Sequence, residues 1–386
     1  MLLTGAKVVV PSGVLAPGWL RVAGGRIAAV GPGVPPVLVP GEERTELGGR
    51  TILPGFIDLH THGGGGASYT AGDPDEVRRG RAFHLSRGTT RSFASLVTAP
   101  VDDLLSALSS LADLTESGLI AGAHLEGPFL SRSFRGAQDA RYLLPPDMDV
   151  LERLLTAGRG TVRMVTVAPE LPGATDLVRR VVDAGAIAAI GHSEATYATA
   201  LSAIDAGASV ATHLYNGMRP LHHRDPGIVG AALDREEVFC ELIADGHHVH
   251  PAMLRLAFAA ARERVTLITD AIAAAGAPDG AYLLGSMWVQ VEDGKAYVPG
   301  TKTIAGSTIT MADAVRYGAL QAGIPLPTLA RAASATPARL LGLGDEVGTI
   351  ETGKQADLVV LDADLGVEAV VVGGEWAPRV ETPVAP

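Results

Sequence analysis

Eight short apolar runs alternate with amphipathic segments through the middle of the chain, and this rhythm limits the fold more than any other feature. The runs cover residues 51–60, 89–97, 119–126, 162–169, 186–192, 209–216, 239–245 and 265–270. Segments such as 74–87, 101–116, 174–184, 195–206 and 251–262 lie between them with helix-like spacing of apolar residues. Repeated βα units of this kind specify a parallel sheet covered by helices. Eight of them predict an α/β fold, a (β/α)8 barrel of the TIM type over residues 51–344, with a doubly wound open sheet as the alternative. Polar residues able to do chemistry fall at the C-terminal ends of many different runs, where barrels gather their active sites, and this favours the barrel.

The two ends of the chain read differently. Residues 1–50 carry short alternating strands with a turn at Gly24-Gly25, too few to fold alone, and residues 345–386 offer further strands around 356–361 and 367–372. One small β-sandwich assembled from both ends is therefore expected as a second domain. Residues 285–300 read as a hairpin inserted after the eighth run, and the proline-rich end up to Pro386 is expected to be loosely ordered.

The metal-binding chemistry begins at Pro54–Gly63, where an apolar lead-in reaches His60 and His62, two residues apart and so on one face of an extended chain. A catalytic zinc takes three protein ligands and a water, so the pair calls for partners elsewhere. Glu126, His192 and Asp270 close the third, fifth and eighth runs, and His213 lies on the sixth. Imidazoles and carboxylates suit zinc, iron or manganese, and six of them can hold one or two divalent ions.

Composition excludes several other classes. At 47% hydrophobic and 19% charged residues the 386-residue chain is globular, and a net charge of -11 argues against nucleic acid. No apolar run reaches the length of a membrane span and the first residues carry no signal pattern, so no membrane partner and a cytoplasmic location are expected. The single cysteine, Cys240, excludes an internal disulfide and reads as a buried strand residue.

The stretches 54–62, His124-Leu125-Glu126-Gly127-Pro128-Phe129, 166–170, Gly191-His192-Ser193, 212–218, 244–248 and Thr269-Asp270-Ala271 together resemble the N-acetylglucosamine-6-phosphate deacetylases of the amidohydrolase superfamily, along nearly the whole chain. That resemblance implies a principal metal site of Glu126, His192 and His213, with Glu126 as the bridging carboxylate. His60, His62 and Asp270 would complete a second. Zinc is the first expectation, with iron, manganese or cobalt as alternatives. Amide hydrolysis needs a group that moves a proton from water to the departing amine, and Asp270 is the expected carrier. The resemblance also implies His248 as a substrate-contacting histidine and Arg224 as the phosphate-binding arginine. Further substrate contacts are implied at Ala137, Gln138, Asn216, Gly217, Ile304, Ala305, Gly306 and Ser307, with glutamine at 138 where many relatives have histidine. A homodimer, in which Arg224 can reach a neighbouring subunit's site, is implied too.

The expected reaction is hydrolysis of the acetamide of N-acetyl-D-glucosamine 6-phosphate, in amino-sugar catabolism and cell-wall recycling. Two rivals stand beside it: an amidohydrolase for another N-acetylated sugar or an N-acyl amino acid, and a non-catalytic protein that binds metal or sugar phosphate.

Overall fold

The eight apolar runs become eight strands of one sheet, neighbours in chain order, in a computed structural model that describes residues 1–378. The strands are β1 (Phe56–Asp58), β2 (Thr89–Val97), β3 (Gly122–Glu126), β4 (Val162–Val167), β5 (Ile187–Ile190), β6 (Val210–Ala211), β7 (Phe239–Ile243) and β8 (Val265–Ile268). Every ladder from β2 to β8 is parallel. The ring is drawn together just past the strands: Thr61 and Ala271 form a parallel bridge, Asp270 donates its N–H to the His60 carbonyl at 2.8 Å, and His62 donates to that of Ala271 at 2.7 Å. The expected TIM-type barrel is the observed fold.

Sequence explains the covering helices. In Ala174–Asp183 the residues Ala174, Leu177, Val178 and Val181 are buried, a spacing of three and four that gives one apolar stripe, while Arg179 pairs with Asp176 on the outside. Asp147 and Thr196 cap the helices Met148–Ala157 and Tyr197–Asp205 by accepting from the N–H groups of Val150 and Thr199, and so satisfy donors a helix start leaves orphaned.

The chain divides into two compact units. One holds Leu59–Arg81 and Ser92–Thr310; the other holds Met1–Asp58, Ala82–Arg91 and the described residues from Met311 onward. In the second unit both chain ends meet in a single eight-stranded sheet, the expected small β domain. Strand Thr51–Pro54 joins them, parallel to Leu2–Val10 on one side and antiparallel to Leu358–Leu361 on the other. Leu3, Val8, Leu20, Val22, Ile52, Leu358, Val360 and Val371 form its core.

Two runs end differently from expectation. The run 51–60 is split at Gly55, where an added Cβ would lie 2.5 Å from the Thr90 hydroxyl, so Thr51–Pro54 pairs in the small domain and only Phe56–Asp58 is a barrel strand. The run 209–216 is a strand only over Val210–Ala211, because the backbone turns into the left-handed region at His213 (φ 32°) and Tyr215 (φ 81°). The expected hairpin is present and gains a strand. Gly280–Leu284, Met287–Glu292 and Lys295–Tyr297 form an antiparallel sheet whose Leu284, Val289, Val291 and Ala296 pack with Ile272 and Ala274. The proline-rich end lies outside the described residues.

Candidate active site

The spacing of the expected ligands is regular. Glu126 is the last residue of β3, and His60, His192, His213 and Asp270 each lie two residues past the end of β1, β5, β6 and β8, with His62 two further on. At His192 (φ 46°), His213 (φ 32°) and Asp270 (φ 49°) the backbone is left-handed, which crowds the Cβ of any residue but glycine. Such positions cost about 1–3 kcal/mol each and persist where surrounding structure holds them, commonly at functional sites.

The turns aim the side chains inward. All six are buried, and they form two groups whose ligand atoms lie within 4.8 Å of one another: His60, His62 and Asp270, and Glu126, His192 and His213. Glu126 Oε1 is 3.0 Å from His192 Nε2 and 2.9 Å from His213 Nε2. Its Oε2 is 3.3 Å from His62 Nε2, which is 3.2 Å from Asp270 Oδ1. Glu126 therefore touches both groups, as a bridging carboxylate would.

Hydrogen bonds behind the imidazoles decide which nitrogen faces inward. His62 Nδ1 lies 3.1 Å from the Ser95 carbonyl and His192 Nδ1 2.9 Å from that of Phe134. A carbonyl only accepts, so each Nδ1 carries a proton and, in the neutral ring, Nε2 presents a lone pair. His60 Nδ1 faces the Glu241 carboxylate at 3.2 Å, with the same result. Lone pairs of three imidazoles thus converge with two carboxylates; His60 and His62 Nε2 are 3.2 Å apart. Only a cation makes that arrangement favourable, and the N/O donor set fits a divalent metal.

Without a metal, protons fill the role. Burial works against a charged His62, but hydrogen bonds with Asp270 and Glu126 outweigh it and raise its pKa to about 9. His60 is likewise raised against its burial, chiefly by the Glu126 and Asp270 charges. Burial would lift the carboxyls, yet the His60 charge and hydrogen bonds from His192 and His213 hold Glu126 well below the usual range, and His60 and His62 lower Asp270. Both acids stay ionised.

A cavity of about 310 Å³ opens over these groups. His62, Glu126, His192, His213 and Asp270 line it together with Ala137, Gln138, Asn216, Gly217, His248, Ile304 and Gly306. Gln138 donates from Nε2 to Glu126 Oε2 at 2.8 Å and accepts from the Thr98 N–H at 2.7 Å, so it also fixes the carboxylate. His248 Nδ1 is 2.6 Å from Asp245 Oδ2, an ion-pair geometry that leaves Nε2 as its remaining polar atom. Ala305 and Ser307 are buried outside the lining; Ser307 donates its N–H to the Asp270 carbonyl at 2.7 Å and so ties this segment to the acid. Arg224 is not brought to this cavity. It is exposed, with Nη1 2.8 Å from His223 Nε2.

Sequence reasoning passed over three residues. Glu241, fully buried, sits in Phe239–Ile243, and an acid inside an otherwise apolar strand was the available signal. Asp245 could have been found as the acid three residues before His248. Lys302 lines the cavity from the loop after the third hairpin strand and carried no local signal beyond the scarcity of lysine.

Residues 51–377 match the model of the amidohydrolase family. A solved structure of a mutant N-acetyl-D-glucosamine-6-phosphate deacetylase from Mycobacterium smegmatis, in complex with N-acetyl-D-glucosamine-6-phosphate, is 47% identical with a TM-score of 0.93, covering 97% of this chain and 98% of its own. The N-acetylglucosamine-6-phosphate deacetylase of Homo sapiens is 40% identical over 86% of this chain and 85% of its own length. The N-acetylgalactosamine-6-phosphate deacetylase of Escherichia coli O157:H7 is 37% identical over 93% of this chain and 96% of its own. A family model that spans most of the sequence, and relatives that align along nearly all of it, lead to one conclusion: this chain belongs to the amidohydrolase family.

Proposed function

We propose that the chain is a metal-dependent deacetylase that hydrolyses the acetamide of N-acetyl-D-glucosamine 6-phosphate to D-glucosamine 6-phosphate and acetate, in amino-sugar catabolism and cell-wall recycling. The observation that carries this reading is the convergence of inward-facing imidazole nitrogens and two ionised carboxylates on the floor of one cavity. Relatives spanning nearly the whole chain are deacetylases of acetamido-sugar 6-phosphates, which supports the substrate class.

Glu126, His192 and His213 would hold one ion, and His60, His62 and Asp270 a second; zinc suits the donors best, with iron, manganese or cobalt also compatible. A bound divalent ion polarises a carbonyl and lowers the pKa of water. The chain's own groups move the proton. Asp270, kept ionised, takes a proton from the attacking water as the new C–O bond forms at the acetyl carbon. It returns that proton to the sugar nitrogen as the C–N bond breaks, so a neutral amine and acetic acid are formed, and the acid passes its remaining proton to the amine or to solvent to leave as acetate. His248, oriented by Asp245, offers Nε2 to the carbonyl or a neighbouring sugar oxygen. Ala137, Asn216, Gly217, Ile304 and Gly306 shape the walls, with Gln138 steadying Glu126 and Ala305 and Ser307 holding the wall's backbone.

Arg224 lies outside its own chain's cavity; in the proposed homodimer it meets the phosphate at a neighbouring subunit's site. A charged sugar phosphate does not cross membranes unaided, so the cytoplasm is the proposed place of action. The catalytic chemistry is assigned to the barrel, while both ends of the described chain, joined by strand Thr51–Pro54, build the small β domain.

Acetate release from N-acetyl-D-glucosamine 6-phosphate by metal-loaded protein tests the reading. Turnover should vanish with Asp270→Asn and on chelation. No turnover with zinc, iron, manganese or cobalt would leave a protein that binds sugar phosphates without hydrolysing them. The relative named an N-acetylgalactosamine-6-phosphate deacetylase motivates one second substrate, the C4 epimer, assayed in parallel.

A further inference from the structure

A substrate that carries a phosphate dianion brings its charge into a cavity already lined by Glu126 and Asp270. Opposite charge must be near the phosphate for binding to succeed. Among the described lining residues one is a lysine or arginine: Lys302. The other three lysines of the chain are elsewhere. Lys295 lies over the Tyr297 ring at 4.9 Å, Lys354 pairs with Glu351 at 3.0 Å, and Lys7 is on a strand of the small domain.

Backbone structure holds Lys302 at the cavity. It sits in a loop that closes on itself: Val298 donates to the Thr303 carbonyl at 2.9 Å, the Thr301 hydroxyl donates to the Val298 carbonyl at 2.9 Å, and Thr303 donates its N–H to the Thr301 hydroxyl at 3.1 Å. Beyond the loop an antiparallel bridge joins Tyr297 and Ile304, and Ala305 donates to the Ala296 carbonyl at 3.1 Å. Ser307 and Asp270 then exchange the bond already described, and Ile272 donates to the Ser307 carbonyl at 3.0 Å. The segment just past β8 that carries the acid at the cavity floor is thus stitched to the segment that carries the lysine. Among the described residues no carboxylate pairs with the Lys302 ammonium, so its charge is available, and its four-carbon stem can follow a phosphate group.

We propose that Lys302 binds the substrate's phosphate from within the same chain and makes the site select a phosphorylated over a neutral acetamido sugar. This rests on the sugar-phosphate reading above. Arg224 of a second copy would then add to a charge the single chain already supplies.

The test measures binding of glucosamine 6-phosphate and of glucosamine to metal-loaded wild type, Lys302→Met and Lys302→Arg, and KM and kcat for the two N-acetylated sugars. Lys302→Met should weaken the phosphorylated ligand about ten-fold, the loss expected for one charge-assisted hydrogen bond, and leave the neutral sugar unchanged. KM for the phosphorylated substrate should rise while kcat holds, and Lys302→Arg should restore most of the difference. Melting curves check that the surface-loop variants remain folded. An unchanged preference in Lys302→Met, or equal weakening of both sugars, overturns the inference. If wild type hydrolyses the substrate but the preference ignores position 302, only this inference falls. If wild type binds the sugar phosphate through Lys302 without releasing acetate, only the hydrolytic reading falls. Neither binding nor turnover overturns both.

Discussion

The Nδ1 atom of His60 lies 3.2 Å from Oε2 of Glu241, and both side chains are fully buried. The same oxygen accepts the backbone N–H of His213 at 3.2 Å, so one acid from β7 steadies a histidine of each group. It fixes the His60 tautomer that turns the Nε2 lone pair inward. Glu241→Gln keeps size and an acceptor but loses the charge, and should weaken metal binding by about 10–100-fold, the usual effect of removing such a partner. Competition with a chromophoric chelator reads this directly. Glu241→Leu also leaves a buried N–H unpaired and should cost about 1–3 kcal/mol in denaturant titrations.

Much of this centre was legible in the sequence because strand ends impose a pattern. His192, His213 and Asp270 stand two residues past their strands, and apolar runs announced those strands. The exact strand limits were not legible. Residues 212–216 look like strand, but placing His213 inward requires a left-handed turn that propensity does not register. Glu241 and Lys302 were hidden for a different reason. Neither belongs to a spaced motif; their significance arises only when β7 is set beside His60, or a loop some thirty residues past Asp270 folds back to the cavity. Arg224 shows the opposite limit, since its proposed contact belongs to a second copy and no property of one chain's sequence fixes it.

Asp245 gives a pH dependence with a definite sign. Its Oδ1 accepts the N–H groups of His247 and His248 at 2.8 Å each, and its Oδ2 meets His248 Nδ1. Burial would raise its pKa, but the His248 and backbone hydrogen bonds prevail and lower it below 3.8. A depressed carboxyl stabilises the fold above its unfolded pKa, and that contribution is lost as pH falls through the folded value. The stability gap between wild type and Asp245→Asn should therefore be full at neutral pH and close on acidification below about 4. Urea unfolding of both proteins across that range is the measurement; a gap independent of pH would refute the assignment.

Cys240 should be inert in the folded protein. It is fully buried on β7, and burial pushes its thiol up to about 12, with Arg264 opposing only in part. Only the thiolate reacts with alkylating and disulfide reagents, so at neutral pH modification must wait for the chain to open. Labelling by an aromatic disulfide should be immediate in guanidinium and follow the unfolding equilibrium without it. Rapid labelling of the native protein would show that β7 is exposed.

Gly217 allows the sharpest separation of metal binding from general stability. Its φ is 58°, and a Cβ there would lie 3.0 Å from His192 Nδ1 and 3.2 Å from the Phe134 carbonyl, the two partners of the bond that orients His192. Gly217→Ala should therefore incur a left-handed backbone cost of about 1 kcal/mol and also press His192 away from Glu126. Gly185 supplies the control, with φ 77° and nothing within 4 Å of an added Cβ. Gly185→Ala should lose similar stability from the backbone alone. Metal affinity should fall in the Gly217 variant and hold in the Gly185 variant, read by chelator competition at matched protein concentration. Equal affinities in the two would mean that His192 tolerates displacement, and that its hydrogen bond to Phe134 does not set the geometry of the metal group.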